Sequence, residues 1–408
     1  MRLQTQKLIK NVSLASVGSF LAAIFAISTN ILIARTVATD QFGLFMVALS
    51  ISLIGGTLST FGFADYLVRE WTKSGKTTLS ADTTVFLFGS IFFVFMLTAL
   101  LIFITCNGQY ALILLATSVP ITAWLRVKMS QLRVRGQYGP IVLILLAPAL
   151  IRLAPAIFVH FSTNTLNDYC FMVGGLFVVA TLFIVKSIFR TIKKTLGKNI
   201  KKELVLTLKG VSPFIASQII VSLRDRLDII LLSVLGTPTL AAIFTPASLV
   251  LKRSSLFATT VADTALLPTL FKHCDNEKSY KRKSWKLVLS LGIVGTGLAL
   301  VVIFFADQIL GLFGKEYLEA RPVLITMAAM IPLRYMCIGL TNALKHQNMV
   351  AGKARDQLIT LIISAVTLCI FIPLFGTWGA VLSVGVSMVT LFTLYAIRLL
   401  NTSLQLRE

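Results

Sequence analysis

The sequence predicts an all-α integral membrane protein with twelve transmembrane helices in two six-helix lobes around a central cavity. Three observations lead there. Of its 408 residues 56% are hydrophobic and only 13% charged, against about 25% charged in soluble domains, and the mean hydropathy is +0.86. Apolar stretches near the length of about 20 residues that a bilayer core requires recur from end to end, with none of the strict ten-residue alternation of a membrane barrel. Finally, a few arginines and aspartates sit inside these stretches. A charge at mid-bilayer costs roughly 3 kcal/mol on insertion scales, so such residues face a bundle interior or a wet cavity rather than lipid.

The spans follow in order. Residues 12–34 run without charge between Lys10 and Arg35, and 43–65 begin after the short turn TVATDQ. The third (84–105) and fourth (109–125) are separated by CNGQ, and the fourth stops at Arg126. The fifth, 141–161, follows GQYGP and carries Pro148, Arg152 and Pro155; the sixth, 169–187, runs into KSIFRTIKK. The seventh (210–235) and eighth (239–268) are divided by GTPT, and the ninth (287–305) rises out of a basic loop. The tenth to twelfth are 322–342, 357–375 and 378–399. Gly, Pro and β-branched residues are frequent in them, as spanning helices tolerate.

The net charge of +22 could suggest nucleic acid, but its distribution argues against that partner. With the N-terminus in the cytoplasm, 29 of the 38 basic residues fall on the cytoplasmic side, and only Arg35, Lys315 and Arg321 on the other. This follows the positive-inside rule and places both termini in the cytoplasm of a multi-pass protein. The excess reads as topology plus attraction to anionic membrane lipids.

The longest cytoplasmic connection divides the chain into an N-terminal lobe (1–187), a basic linker (188–209) and a C-terminal lobe (210–408). The linker reads equally as an amphipathic surface helix or a solvated tether. ILIARTVATDQFGLFMVALS (31–50) and IILLSVLGTPTLAAIFTPASL (229–249) share a layout: a span ends, a short turn follows, and Phe45 or Phe244 opens the next span. Parallel repeats of this kind place a binding site between the halves near the midplane.

Six residues are candidates for that site: Arg152, Arg224, Arg226, Asp228, Lys252 and Arg334. On an unbroken helix Arg224, Asp228 and Ser217 share a face and Arg226 points away. Arg224 then serves either as an anion seat, gripping a phosphate through bidentate guanidinium contacts, or as half of an internal pair with Asp228. Arg152 has no acidic residue within four positions, so it must meet another segment, an anion or cavity water. Arg334 follows Pro332 in the tenth span, and Lys252 with Arg253 lies midway along the eighth. Arg35 and Asp65 lie near helix ends, where interfacial anchoring is their expected role. Acidic residues clearly inside spans are Asp225, Asp228 and Asp263, so the interior is net cationic and suits an anionic ligand. Ser19, Ala23, Ala26 and Asn30 form a small-residue stripe on the first span, suited to close helix packing.

The N-terminal run is too long for a cleaved signal and is expected to stay as the first span. Five scattered cysteines and three distant histidines suggest no disulfide framework and no metal site. The chain carries no GxxxxGK[ST] motif, so no cofactor is expected, and transport would draw on an ion gradient or on consumption of product. Outer loops are short, which argues against an enzyme such as a polymerase or ligase.

ARTVATDQFGLFMVALSISLIGG followed by FGFADYLVRE, then SPFIASQIIVSLRDRLDIILLSVLGTPTLAAIFTPASLV, ALLPTLFK, LGLFGKEYLEARPVL and IPLFGTWGAVLS, occur in an order that resembles the polysaccharide-unit flippases. The likeness is to Wzx-type O-antigen flippases of the multidrug/oligosaccharidyl-lipid/polysaccharide exporter superfamily, and it covers nearly the whole chain. Departures are Val37, where the family turn has Leu, and Phe244, where Tyr is frequent. The resemblance implies a bacterial inner-membrane flippase that moves an oligosaccharide unit on undecaprenyl pyrophosphate from the cytoplasmic to the periplasmic leaflet. Polymerase and chain-length proteins would then act downstream. The alternative is an ion-coupled multidrug exporter, for which the first half offers few buried carboxylates.

Overall fold

The computed structural model describes residues 2–74, 81–162, 165–195, 218–261, 277–344 and 350–401; side chains are described from residue 16 onward, except at some positions near the ends of these ranges and at a few within them, Asp65 among these. Within these residues the regular structure is helical. Ten helical stretches are long and apolar enough to cross a membrane, and they coincide with ten of the twelve expected spans. The other two expected spans, 210–235 and 239–268, are described only in part. Their described portions include the short apolar helix Leu227–Gly236 and the helix Pro238–Val261.

The chain divides into two compact units, Met1–Arg226 and Leu227–Glu408. The division falls inside the segment expected as the seventh span, at a break in the helix. The expected linker lies mostly outside the described residues, although its first part continues the preceding helix to Thr195.

The first unit contains α1 (Arg2–Thr36), α2 (Thr39–Leu58), α3 (Phe63–Ser74) and α4 (Ala81–Thr105). A short turn of helix from Tyr110 then leads to α5 (Ser118–Val134), α6 (Gly139–Phe161) and α7 (Leu166–Thr195). Helix α1 packs along α6, while α2 packs against α4 and α5. Phe63, Leu67 and Trp71 of α3 form a core cluster with Leu87, Ile91, Ala123 and Val127. Gly55 and Gly56 set the spacing around α2. A Cβ at Gly55 would overlap the Thr98 hydroxyl, and one at Gly56 would meet Thr122 at 3.0 Å. Of the small-residue stripe on α1, Ala23 and Asn30 are buried while Ser19 faces outward.

The second unit contains α8 (Leu227–Leu231), a π-helical turn over Leu232–Gly236 and α9 (Pro238–Val261). It continues through α10 (Glu277–Phe304), α11 (Ala306–Phe313), α12 (Arg321–Ala329), α13 (Ile331–Ala343), α14 (Val350–Phe375) and α15 (Thr377–Asn401). Tyr280, Val288, Leu340, Leu344, Tyr395 and Leu399 form its core cluster, where the Tyr280 hydroxyl donates to the Ala343 carbonyl at 2.7 Å. Phe45 of α2 and Phe244 of α9 are both fully buried.

In both units the outward surface carries large apolar side chains such as Phe93, Leu182, Ile293 and Phe304. The interior instead holds small hydroxyls such as Ser50, Ser52, Thr98, Thr245 and Ser383. Lipid tails accept the apolar surface, whereas exposed apolar area on this scale would promote association in water. Thr245 donates to the Ala241 carbonyl one turn back at 2.7 Å and so enters the core without an unpaired donor, whereas the Ser50 and Ser52 hydroxyls are buried without a partner among the described residues.

Candidate functional site

In the first unit, α2, α5 and the segment 218–226 enclose a cavity of about 380 Å³. Its walls include Thr57, Thr122, Arg126, Gln218, Asp225 and Arg226. The Thr57 hydroxyl donates to the Leu53 carbonyl at 3.0 Å and accepts Arg126 Nη2 at 2.9 Å. That relay fixes the guanidinium against the cavity wall.

The segment 218–224 is helical and then breaks. The Asp225 amide reaches the Val221 carbonyl at 3.3 Å, but the Arg226 amide turns to the Leu223 carbonyl at 3.0 Å, and helix resumes at Leu227. Arg224 and Asp228 therefore do not lie on one unbroken helix, as the sequence led one to expect. The turn brings the adjacent Asp225 and Arg226 to the same cavity. Arg224 Nε lies 4.0 Å from Asp225 Oδ1, a half-exposed contact at the limit of an ion pair. With two arginines and one aspartate in its wall, the cavity is net cationic.

In the second unit, Asp228 is 4% exposed and takes Lys252 Nζ on both oxygens, at 3.0 and 2.7 Å. Its Oδ1 also accepts the Ile229 amide at 2.9 Å. Ser255, one turn along α9, donates to the Lys252 carbonyl at 2.6 Å and accepts Arg334 Nη2 at 3.4 Å. The next residue, Tyr335, donates its hydroxyl to the Ser254 carbonyl at 2.8 Å. Asp228, Lys252 and Arg334 are thus joined across α8, α9 and α13.

Arg152 stands apart from both clusters. It lies on α6 between Pro148 and Pro155, its guanidinium carbon 5.7 Å from the centre of the Phe177 ring. Its Nε is enclosed without a hydrogen-bond partner among the described residues, as is the Tyr169 hydroxyl. The required partner on another segment is an aromatic face rather than a carboxylate, a cation–π contact that favours guanidinium.

Sequence reasoning missed Arg126, which it assigned to a cytoplasmic loop because the fourth apolar run stops before it. The helix continues to Val134, and Val127 and Ser130 beyond Arg126 are buried. The signal was present in the apolar period resuming at Val127 and in the Thr122–Arg126 spacing of one helical turn. Asp65 and Asp263, also named from sequence, have side chains outside the described residues. The four described cysteines, Cys106, Cys170, Cys337 and Cys369, are free thiols.

The sequence profile of a family described as "Polysaccharide biosynthesis protein" matches residues 8–274. A comparison with curated protein sequences finds no match. Among solved structures, the lipid II flippase MurJ in an inward closed conformation superposes with a TM-score of 0.72 at 13% identity, covering 94% of this chain and 87% of that one. An inward-facing multidrug resistance MATE family transporter of the MOP superfamily gives 0.71 at 14% identity, covering 94% and 98%. An outward-facing structure of a MATE family transporter gives 0.59 at 15% identity, covering 98% and 99%. At these identities the likeness speaks for the fold.

Proposed function

Since the chain belongs to the polysaccharide biosynthesis protein family, we propose that it is a flippase for undecaprenyl-pyrophosphate-linked oligosaccharide repeat units, O-antigen or a related polysaccharide. It carries them from the cytoplasmic to the periplasmic leaflet of a bacterial inner membrane by alternating access, with both termini cytoplasmic. The observation that carries this reading is the arginine-walled cavity among helices with a lipid-type exterior. A pyrophosphate is a compact dianion or more, and guanidinium groups bind it through paired hydrogen bonds that an ammonium cannot reproduce. Arg126 is held in place by Thr57 before any ligand arrives, so little order has to be acquired on binding. Arg226 sits on the same wall, and Arg224 weakens the opposing charge of Asp225.

The reading assigns Lys252, Asp228 and Arg334 to a second polar cluster that the headgroup meets in the C-terminal lobe, and Arg152 to a supporting role between α6 and α7. The lobes are 1–187 and 210–408, joined by the basic stretch 188–209. The prenyl tail stays in lipid while the sugars cross. No step is assigned to ATP or to a metal.

The decisive experiment is deletion in the native host, followed by extraction of undecaprenyl-linked sugars and a test of their sidedness. Accumulation of a complete unit in the cytoplasmic leaflet with loss of surface glycan is the expected result. Normal glycan and no accumulated lipid would overturn the reading.

The fold likeness to MATE family transporters favours one second reading, an ion-coupled multidrug exporter. Increased sensitivity of the deletion strain to cationic drugs, with surface glycan intact, would select it. A polymerase or ligase is disfavoured because the similar solved structures are a flippase and transporters.

A further inference from the structure

At one end of the first unit a larger cavity, of about 670 Å³, opens where three connections converge: α1 to α2, α4 to the helical turn at Tyr110, and α6 to α7. Its walls include Thr36, Gln41, Gln109, Tyr110, Asn167 and Phe171, with no charged residue among its lining side chains. The side-chain amides of Gln41, Gln109 and Asn167 make no hydrogen bond to another described residue. The hydroxyls of Thr36 and Thr165 are engaged within the protein: Thr36 donates to the Leu32 carbonyl at 2.7 Å and meets His160 Nδ1 at 3.2 Å, and Thr165 donates to Asp168 Oδ2 at 2.9 Å. Tyr110 is 76% exposed and leans on Phe103 with ring centres 5.8 Å apart, and Phe171 is 62% exposed.

We infer that this cup is a saccharide-binding site, distinct from the arginine-walled cavity. Each side-chain amide offers two donors and one acceptor with two lone pairs. Three of them around a neutral cavity can pair with hydroxyls acting in either direction. Two exposed aromatic faces supply apolar contact for the C–H faces of a pyranose ring, and Phe103 supports one of them. Neutral walls give an anion no counter-charge, so the sugar portion binds here rather than the pyrophosphate. The volume lies within the roughly 300–1,000 Å³ range of ligand pockets.

This inference rests on the flippase reading for its side of the membrane. The three connections follow the first, third and fifth spans, so the proposed topology makes this the periplasmic end. The cup then receives the glycan as it emerges and holds it after the headgroup has left the cationic cavity.

The test places the photo-crosslinking residue p-benzoylphenylalanine at position 109 in the native host. A control places it at 143, where Leu143 is 69% exposed on the side of α6. After irradiation, peptides around the probe are read by mass spectrometry for hexose or hexosamine fragments. Sugar-bearing adducts at 109, severalfold above those at 143, are expected. They should be lost when Gln41→Ala and Asn167→Ala are combined with the probe, and reduced by either substitution alone should the pair lower protein level. Absence of sugar at 109, or adducts unchanged by the substitutions, would overturn the inference. The deletion experiment judges flipping separately: glycan export without adducts removes only the cup, and adducts without accumulated lipid-linked units in the deletion strain remove flipping alone.

Discussion

Lys252 holds Asp228 by both carboxylate oxygens, at 3.0 and 2.7 Å, across the junction of α8 and α9. Asp228 is nearly enclosed and Lys252 about one-fifth exposed, so each charge depends on the other. Removing one member of such a pair typically costs about 3–5 kcal/mol, because the survivor is left unpaired in a poorly solvated place. Lys252→Met alone should therefore lower thermal stability in lipid nanodiscs markedly. Combining it with Asp228→Asn should recover most of the loss. Equal instability of single and double variants would show that the pair does not carry the coupling.

A second pair leads to a glycine prediction. Arg398 donates Nε and Nη2 to Asp356 at 2.5 and 2.7 Å, and a Cβ at Gly352 would overlap the guanidinium. The arginine can swing aside only by leaving a carboxylate that is 3% exposed. Gly352→Ala should destabilise by about 1–3 kcal/mol, the usual cost of overpacking, and Arg398→Ala should cost at least as much. A Gly352→Ala protein with wild-type stability would mean that α14 and α15 separate freely.

For the cationic cavity, Arg126→Ala and Arg226→Ala should each slow export at normal protein level. A charge-assisted hydrogen bond is worth about 1.5–3 kcal/mol, which is roughly tenfold or more in affinity. Arg126→Lys should fail to rescue, since an ammonium cannot hold Thr57 and a phosphate in the fork geometry of arginine. The readout is accumulated lipid-linked unit in complemented deletion cells. Wild-type export by both alanine variants would remove the cavity from the mechanism.

Cys106 gives a pH-dependent prediction. Burial pushes its thiol up to about 11, and its Sγ donates to the Leu44 carbonyl at 3.7 Å. The thiolate is the reactive form, so at pH 7 only roughly one thiol in ten thousand is ionised by the ordinary titration curve. Alkylation of Cys106 by N-ethylmaleimide, read on its own peptide by mass spectrometry, should be negligible in folded protein at pH 7 and rise as pH approaches 11. It should become rapid at pH 8 after denaturation. Prompt labelling of Cys106 in folded protein at pH 7, as distinct from the exposed Cys369, would contradict the burial.

The charged residues of the candidate site were nameable before their geometry. Arg226, Asp228, Lys252 and Arg334 stood out because charge within an apolar run is costly and therefore has a purpose. Their partners were not legible. Arg224 and Asp228 are one turn apart in sequence, yet the helix breaks between them at Asp225–Arg226, and Lys252, 24 positions away, takes the carboxylate. Nothing local announces that break: RDRLD is compatible with a helix, and the turn is a tertiary choice.

The sequence by itself determined the class of protein: an α-helical multi-pass membrane chain of a polysaccharide biosynthesis family. Hydrocarbon thickness and the need to pair every backbone amide constrain span length and composition so tightly that the pattern can be read residue by residue. Only the tertiary structure decided which charges meet. It moved Arg126 from a supposed loop into a cavity wall, set Arg152 on Phe177, and gathered three side-chain amides around one cavity at the end of a bundle. These outcomes depend on helix rotation, helix breaks and packing between distant segments, which no local pattern encodes.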